Sequence, residues 1–143
     1  MKIQIRRNVF ETNSSSTHSC SVARREDYAN FNLGKVWYKQ EDDSYLPIDE
    51  AIENNVDELK ENYDYKLTDE QWEKFKVALK ETKTFSGAFE AIGIPFKRWD
   101  IDPDAMYLSE NMYWSYNDYE QWSHYFTDSA GTDMVAWGYM GFD

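Results

Sequence analysis

A regular strand pattern lies near the end of the sequence and reads Met134-Val135-Ala136-Trp137-Gly138-Tyr139-Met140-Gly141-Phe142. Its largest side chains, Val135, Trp137 and Tyr139, recur with a period of two, which is typical of a half-buried strand. The turn signal Asp128-Ser129-Ala130-Gly131 comes just before it. The pattern therefore predicts a C-terminal β-hairpin.

A second alternating pattern lies at the start of the sequence. Lys2-Ile3-Gln4-Ile5-Arg6 alternates polar with apolar residues, and His18-Ser19-Cys20-Ser21-Val22 does so less regularly. The two stretches predict an antiparallel pair of strands, which would bring Arg6 and Arg7 close to residues 17–19. We expect this pair to join the C-terminal hairpin in one antiparallel sheet of about four strands.

The middle of the chain predicts two main helices. The first follows Pro47, where apolar residues recur every three or four positions at Ile48, Ile52, Val56, Leu59 and Tyr63. The second starts at Thr68, which with Gln71 has the spacing of a capping box. Ser86 is the expected cap of a short third helix. The predicted class is α+β, with the helices on one face of the sheet and residues 1–143 in a single domain.

The net charge of −12 is distributed unevenly along the chain. Residues 1–25 carry five Lys or Arg and one acid, whereas residues 99–143 carry nine acids and no Lys or Arg. An acidic body repels DNA, RNA and anionic membranes, so the expected partner is a basic protein. The sequence has no long apolar run and no apolar leader, and its lone Cys20 cannot form an internal disulfide. These features predict a cytoplasmic protein.

Residues 6–19 are the part of the sequence richest in groups that can bind an anion. The candidates are Arg6, Arg7, Asn13, Ser14, Ser15, Ser16 and His18. Arginines, hydroxyls and turn amides can together hold a phosphate, and Glu11 with His18 could act as base and acid if the fold joins them. No glycine-rich phosphate loop or nucleophile elbow is present, so we assign no catalytic residue. The alternative is a structural turn with a strand histidine.

The segment Phe10-Glu11-Thr12-Asn13-Ser14-Ser15-Ser16-Thr17-His18-Ser19 resembles the opening of small phage-type and prophage-type proteins, which also occur in gut-bacterial genomes. Glu26-Asp27-Tyr28 and Gly34 are similar as well, so the resemblance covers residues 1 to about 38. It implies a phage or mobile-element origin, and hence a bacterial host cell. No activity is established for these proteins, so the resemblance implies no site residues.

Asp100, Asp102 and Asp104 match the first three positions of a calcium loop. The sixth position is Ala105, where the loop requires glycine, and the twelfth is Asn111, where it requires glutamate. The only histidine in this region is His124. We therefore expect no metal and no cofactor.

Acids and aromatic residues are interleaved in the last third of the chain. Carboxylates on a rigid surface can imitate a phosphate backbone, and tryptophan and tyrosine are enriched at binding hot spots. The candidate partner contacts are Asp100, Asp102, Asp104, Glu110, Trp114, Tyr116, Asp118, Glu120 and Trp122. The alternative is a solvated acidic surface over an aromatic core.

The functional hypothesis that follows is a phage-encoded accessory protein without catalytic activity. It would mimic nucleic acid and occupy the basic groove of a host nucleic-acid-binding protein, such as a CRISPR or restriction effector. One alternative is a nucleotide-binding or phosphate-binding protein, or an enzyme, that uses the basic N-terminal segment. A second alternative is a component of the virion or of its assembly.

Overall fold

The computed structural model describes the backbone of residues 3–6, 9–12 and 16–142 and the side chains of residues 17–141. The strands described are β1 (Ile3–Arg6), β2 (Val9–Thr12), β3 (Ser16–Ser19), β4 (Ser21–Arg24), β5 (Val36–Lys39), β6 (Ser44–Pro47), β7 (Glu120–Thr127) and β8 (Asp133–Phe142). The helices described are α1 (Arg25–Asn32), α2 (Ile48–Asn62), α3 (Asp69–Thr82), α4 (Phe85–Ala91) and α5 (Glu110–Tyr116).

The main sheet is antiparallel, and β8 is the strand to which its two sides are joined. β7 pairs with β8 along one edge, while β3 and β4 both pair with its other edge. β2 then pairs with β3, and β1 with β2. The predicted α+β class and antiparallel sheet are confirmed, and the described part of the sheet comprises six strands. The alternation of β8 is confirmed too, because Val135, Trp137 and Tyr139 are all buried.

The predicted direct pairing of the first strand with residues 18–22 is wrong, because β2 lies between them. Arg6 is opposite Val9 in the register, and Val9 is opposite Ser19. The stretch 18–22 itself is interrupted at Cys20, which separates β3 from β4. Val9–Thr12 is only four residues long and adjoins a polar run, so its alternation is too short to be recognised in the sequence.

Gly138 lies opposite this interruption and allows the two strands to approach closely. A Cβ atom at position 138 would lie 2.3 Å from the carbonyl oxygen of Ser19, which is closer than any real side chain permits. The Ser19 Oγ accepts a hydrogen bond of 2.9 Å from the backbone N–H of Tyr139. A serine hydroxyl thus replaces a backbone partner where the ladder is broken.

Trp137 of β8 is fully buried and is the centre of the aromatic core. Its ring contacts rings from α1, β5 and α5, with centroid distances of 5.2 Å to Tyr28, 5.4 Å to Phe31, 5.0 Å to Tyr38 and 5.4 Å to Tyr113. Edge-to-face and tilted arrangements at such distances are favourable for aromatic pairs. One side chain therefore joins the sheet to three other elements.

The β5–β6 hairpin forms a separate two-stranded sheet and is joined to the main sheet through polar contacts. Asp43, in the turn between its strands, accepts hydrogen bonds from the Ser21 hydroxyl at 2.5 Å and the Tyr38 hydroxyl at 2.9 Å. The Trp137 indole N–H donates to the Tyr45 hydroxyl at 2.9 Å. Burial raises the pKa of Tyr38 and the Asp43 carboxylate raises it further, so this phenol stays neutral well above pH 10.

The two main helices lie where the sequence predicts them. Ile52, Val56 and Leu59 of α2 are buried, and α2 packs on β5 and β6. The capping box of α3 is confirmed, with Thr68 Oγ1 accepting the N–H of Gln71 at 3.2 Å. The expected cap Ser86 is wrong, because α4 begins two residues earlier and its cap is Thr84, which accepts the N–H of Gly87. None of the helices in the described ranges is long and apolar enough to cross a membrane.

We predict that Trp137→Ala lowers the free energy of unfolding by about 3–5 kcal/mol, because it removes a fully buried ring and leaves a cavity. Chemical denaturation followed by circular dichroism measures this change. The matched control is Trp99→Ala, since Trp99 is 67% exposed, and we expect it to cost less than about 1 kcal/mol. Equal losses in the two variants would contradict the central position of Trp137.

We also predict a loss of stability above pH 10 that depends on Tyr38 and Tyr113. Burial raises the pKa of both phenols, which therefore stay protonated when folded and lose their protons on unfolding. Their stabilising effect is complete below about pH 10 and declines above it, by about 1.4 kcal/mol per pH unit for each group.

The measurement for this prediction is the slope of the unfolding free energy against pH between about 10 and 12. The double variant Tyr38→Phe, Tyr113→Phe should have a shallower slope, whatever its stability at pH 7. The control Tyr125→Phe, which changes an exposed tyrosine, should keep the original slope. An unchanged slope in the double variant would show that other groups cause the alkaline unfolding.

Candidate acidic interface

The predicted acidic contacts begin in two short 3₁₀ turns, Arg98–Asp100 and Pro103–Ala105. The Asp100 carboxylate accepts the backbone N–H of Lys97 at 2.9 Å, and the Asp102 carboxylate accepts that of Asp104 at 3.0 Å. Ile101 is buried between them. Asp100 and Asp102 are therefore exposed carboxylates whose positions are fixed by the backbone.

Two further contacts hold this segment against the body of the protein. The backbone N–H of Asp102 donates to the Tyr63 hydroxyl at 2.9 Å, which connects the segment to the end of α2. The Arg98 guanidinium donates to Ser115 of α5, to Oγ at 2.7 Å and to the carbonyl oxygen. These hydrogen bonds thus hold in place the backbone that carries Asp100 and Asp102.

Arg98 also lies over aromatic rings. Its guanidinium carbon is 4.5 Å from the centroid of Tyr116 and 5.4 Å from that of Trp99. Burial raises the pKa of Tyr116 and the Arg98 charge opposes this rise. The Tyr116 hydroxyl donates to the Arg98 carbonyl oxygen at 2.8 Å. This cation therefore supports the local structure through contacts with its own neighbours.

The remaining predicted acids lie on and after α5. Ser109 caps this helix by accepting the N–H of Met112 at 3.2 Å, and its hydroxyl donates to the Lys83 carbonyl oxygen. Glu110 is half-buried in the first turn, where a carboxylate is favoured by the helix dipole. Asp118 and Glu120 are exposed at the start of β7.

The three aromatic residues predicted as anchors are half-buried and make internal contacts. The Trp114 ring lies 6.1 Å from that of Trp137, and the Trp122 indole donates to the Tyr139 carbonyl oxygen at 3.3 Å. Tyr116 is held against Arg98 as described. The exposed aromatic rings of the described residues are Trp99 (67%), Tyr125 (54%) and Tyr119 (36%), and none of them was predicted as an anchor. Their exposed positions gave no periodic signal, although Trp99 directly precedes Asp100.

The acids of this region differ from those of the helices in their pairing. On α2 and α3, Lys76 binds Glu53 at 2.9 Å and Lys80 binds Asp49 at 2.9 Å. Within the described ranges, no lysine or arginine forms an ion pair with Asp102, Glu110, Asp118 or Glu120. Their negative charge is therefore not neutralised by the parts of the chain that the structure describes.

The calcium-loop match at Asp100, Asp102 and Asp104 has no counterpart in the geometry. Asp100 and Asp102 accept backbone hydrogen bonds from their own turns. In the described residues, no group of three or more His, Cys, Asp or Glu side chains is placed to hold a metal ion.

The N-terminal anion-site candidates are only partly described. Arg7, Asn13, Ser14 and Ser15 lie outside the described residues, while Arg6 and Ser16 have a described backbone within β1 and β3. His18 is opposite position 10 in the register.

Position 11, which could act as a base only if the fold brought it to His18, is opposite Thr17, whereas His18 is opposite position 10. Successive strand positions alternate between the two faces of a sheet. In the backbone register, positions 11 and 18 are thus neighbouring steps of the ladder, and the side chain of Glu11 lies outside the described residues.

Comparison with known proteins gives no relative from which a function could be transferred. No protein-family model matches the chain, and neither a curated protein nor a solved structure is similar to it at a significant level.

Proposed function

We propose that this protein is a binding protein without catalytic activity that mimics nucleic acid and occupies the basic groove of a partner. The observation that supports the proposal is the set of acids Asp102, Glu110, Asp118 and Glu120. They lie at the surface or half-buried, have no ion pair with a described residue, and belong to a stretch of sequence without lysine or arginine.

The physical argument concerns both charge and rigidity. A groove that binds nucleic acid is lined with lysine and arginine, and it attracts any surface that presents negative charge at fixed positions. The bonds from Arg98 to Ser115 and from Asp102 to Tyr63 hold the acidic segment in one arrangement. A rigid acidic surface loses little conformational entropy when it binds.

The class of partner comes from the resemblance at the N-terminus. If the protein has a phage or mobile-element origin, the expected target is a bacterial defence protein that binds nucleic acid, such as a CRISPR or restriction effector. The protein would then act as an anti-defence inhibitor, because an occupied groove cannot hold its nucleic acid.

The test compares two triple charge reversals that change the net charge equally. Glu110→Lys, Asp118→Lys, Glu120→Lys alters the proposed interface. Its control changes three exposed acids of α2, one of them in the first turn of the helix: Glu50→Lys, Asp57→Lys, Glu61→Lys. The immobilised proteins are incubated at low salt with nuclease-treated lysate of a bacterial host, and the proteins they retain are identified.

We predict that the native protein and the control retain a nucleic-acid-binding protein, and that the interface variant retains at least about tenfold less of it. Added duplex DNA or RNA should displace this partner, and high salt should weaken its binding because the charges are screened. The mimicry would be refuted if nucleic acid did not displace the retained partner, or if both variants lost the partner equally.

A further inference from the structure

β7 forms one edge of the main sheet, and no other strand of the described residues pairs with its outer side. The strand spans eight residues, Glu120–Thr127, and pairs with β8 one residue to one over its whole length. Gln121, Ser123, His124 and Tyr125 are exposed. Within the part of the chain that the structure describes, the sheet thus ends at β7, and no backbone group bonds to its outer side.

The register identifies which backbone groups point outward. The N–H of Tyr139 donates to Ser19 Oγ, so on β8 it points away from β7. Gln121 is paired with Tyr139. In an antiparallel ladder, the backbone groups of two paired residues either bond to each other or both point away from the partner strand. The N–H and C=O groups of Gln121 therefore face the open edge, as do those of Ser123 and Tyr125 by alternation.

This edge lacks the features that usually protect an exposed strand. Native edges are commonly shortened, bulged, or marked with lysine or proline, each of which discourages another chain from adding to the sheet. β7 has eight residues in unbroken register, and its sequence EQWSHYFT contains no lysine, arginine or proline. At its far end, Arg25 donates to the Phe126 carbonyl oxygen at 3.1 Å, a group that by the register faces β8, and the Arg25 guanidinium carbon lies 5.3 Å from the centroid of the Tyr125 ring.

The charge around the edge indicates what can bind there. Asp118 lies two residues before β7, Glu120 is its first residue, and the sequence from residue 99 onward has no lysine or arginine. A second copy would bring another net charge of −12 to the same edge, which opposes self-pairing. A basic strand would instead meet opposite charge.

We propose that the β7 edge is a docking site for an extended, basic segment of a partner protein, which adds to the sheet as a further antiparallel or parallel strand. The outward backbone groups of Gln121, Ser123 and Tyr125 bond to the segment, as in other cases of strand addition. This inference goes beyond the proposed function, because it depends on the backbone edge and would hold for a partner that binds no nucleic acid.

The probe is an eight-residue peptide that alternates lysine and valine. We measure its binding by fluorescence anisotropy, and we measure hydrogen exchange at the backbone amides of the full-length protein by NMR. In the free protein the outward amides of Gln121, Ser123 and Tyr125 should exchange fast, and saturating peptide should slow them at least about tenfold. A peptide with glutamate in place of lysine should not bind.

Two N-methylated versions of the peptide test the backbone bonds directly. One is methylated on alternate amides, which leaves one edge of the peptide free, and the other is methylated on every amide, so that neither edge can donate to β7. At least one version should lose binding at unchanged charge. If both bind as tightly as the parent peptide, contact is through charge alone and strand addition is refuted, whereas the charge-reversal result for the proposed function is unaffected.

A variant of the protein provides the complementary test. Ser123→Pro removes an outward N–H without removing a bond to β8, and proline is tolerated at such edge positions. Its control is Ser129→Pro, at the second position of the Asp128–Gly131 turn, where proline is favoured. Ser123→Pro should abolish peptide binding and Ser129→Pro should retain it.

Two results would overturn the proposal. One is full binding of the peptide by a folded Ser123→Pro variant. The other is slow exchange at Gln121, Ser123 and Tyr125 that grows with protein concentration in the absence of peptide, which would assign the edge to a second copy of the chain.

Discussion

The packing of aromatic rings around Trp137 is the interaction on which the rest of the structure depends. Phe31 from α1, Tyr38 from β5 and Tyr113 from α5 all contact this one ring. Aliphatic residues are scarce in the chain, and aromatic residues make up 17% of it. Each ring buries a large area, so a few of them can supply much of the hydrophobic stabilisation that a core of leucine and isoleucine would otherwise provide.

An aromatic core leaves polar atoms in the interior, and several of them have specific partners, whereas Trp37 Nε1 and Gln40 Nε2 are buried without one among the described residues. Tyr38 and Ser21 donate to the half-buried Asp43, and the Tyr113 hydroxyl donates to Gln40 at 3.0 Å. No aspartate or glutamate of the described residues is fully buried. The interior therefore holds neutral hydroxyls and amides, while the large negative charge lies at the surface and is available for electrostatic attraction.

The elements that the sequence predicted well are those with a long, regular pattern. α2 contains four of the five residues of the predicted apolar stripe, α3 has a complete capping box, and β8 alternates over most of its length. β2 was missed because four residues cannot establish a period, and the cap of α4 was misplaced because Thr84 and Ser86 are both competent caps.

The candidate interface was predictable in its acids but not in its aromatic residues. Exposed charge follows from composition, because an unpaired carboxylate is rarely buried. The direction of an aromatic side chain depends instead on tertiary packing. Trp114 turns inward to Trp137 and Trp99 turns outward, although both stand in the same acidic, aromatic-rich region.

The position of β8 in the chain has a consequence for biosynthesis. The strand to which both sides of the sheet are joined is the last element described, and its bond from Tyr139 reaches back 120 positions to Ser19. At a synthesis rate of about 5–20 residues per second, the N-terminal strands leave the ribosome on the order of ten seconds before their partner exists. During that interval β3 and β4 have no β8 to pair with, so the sheet cannot be completed until β8 has been synthesised.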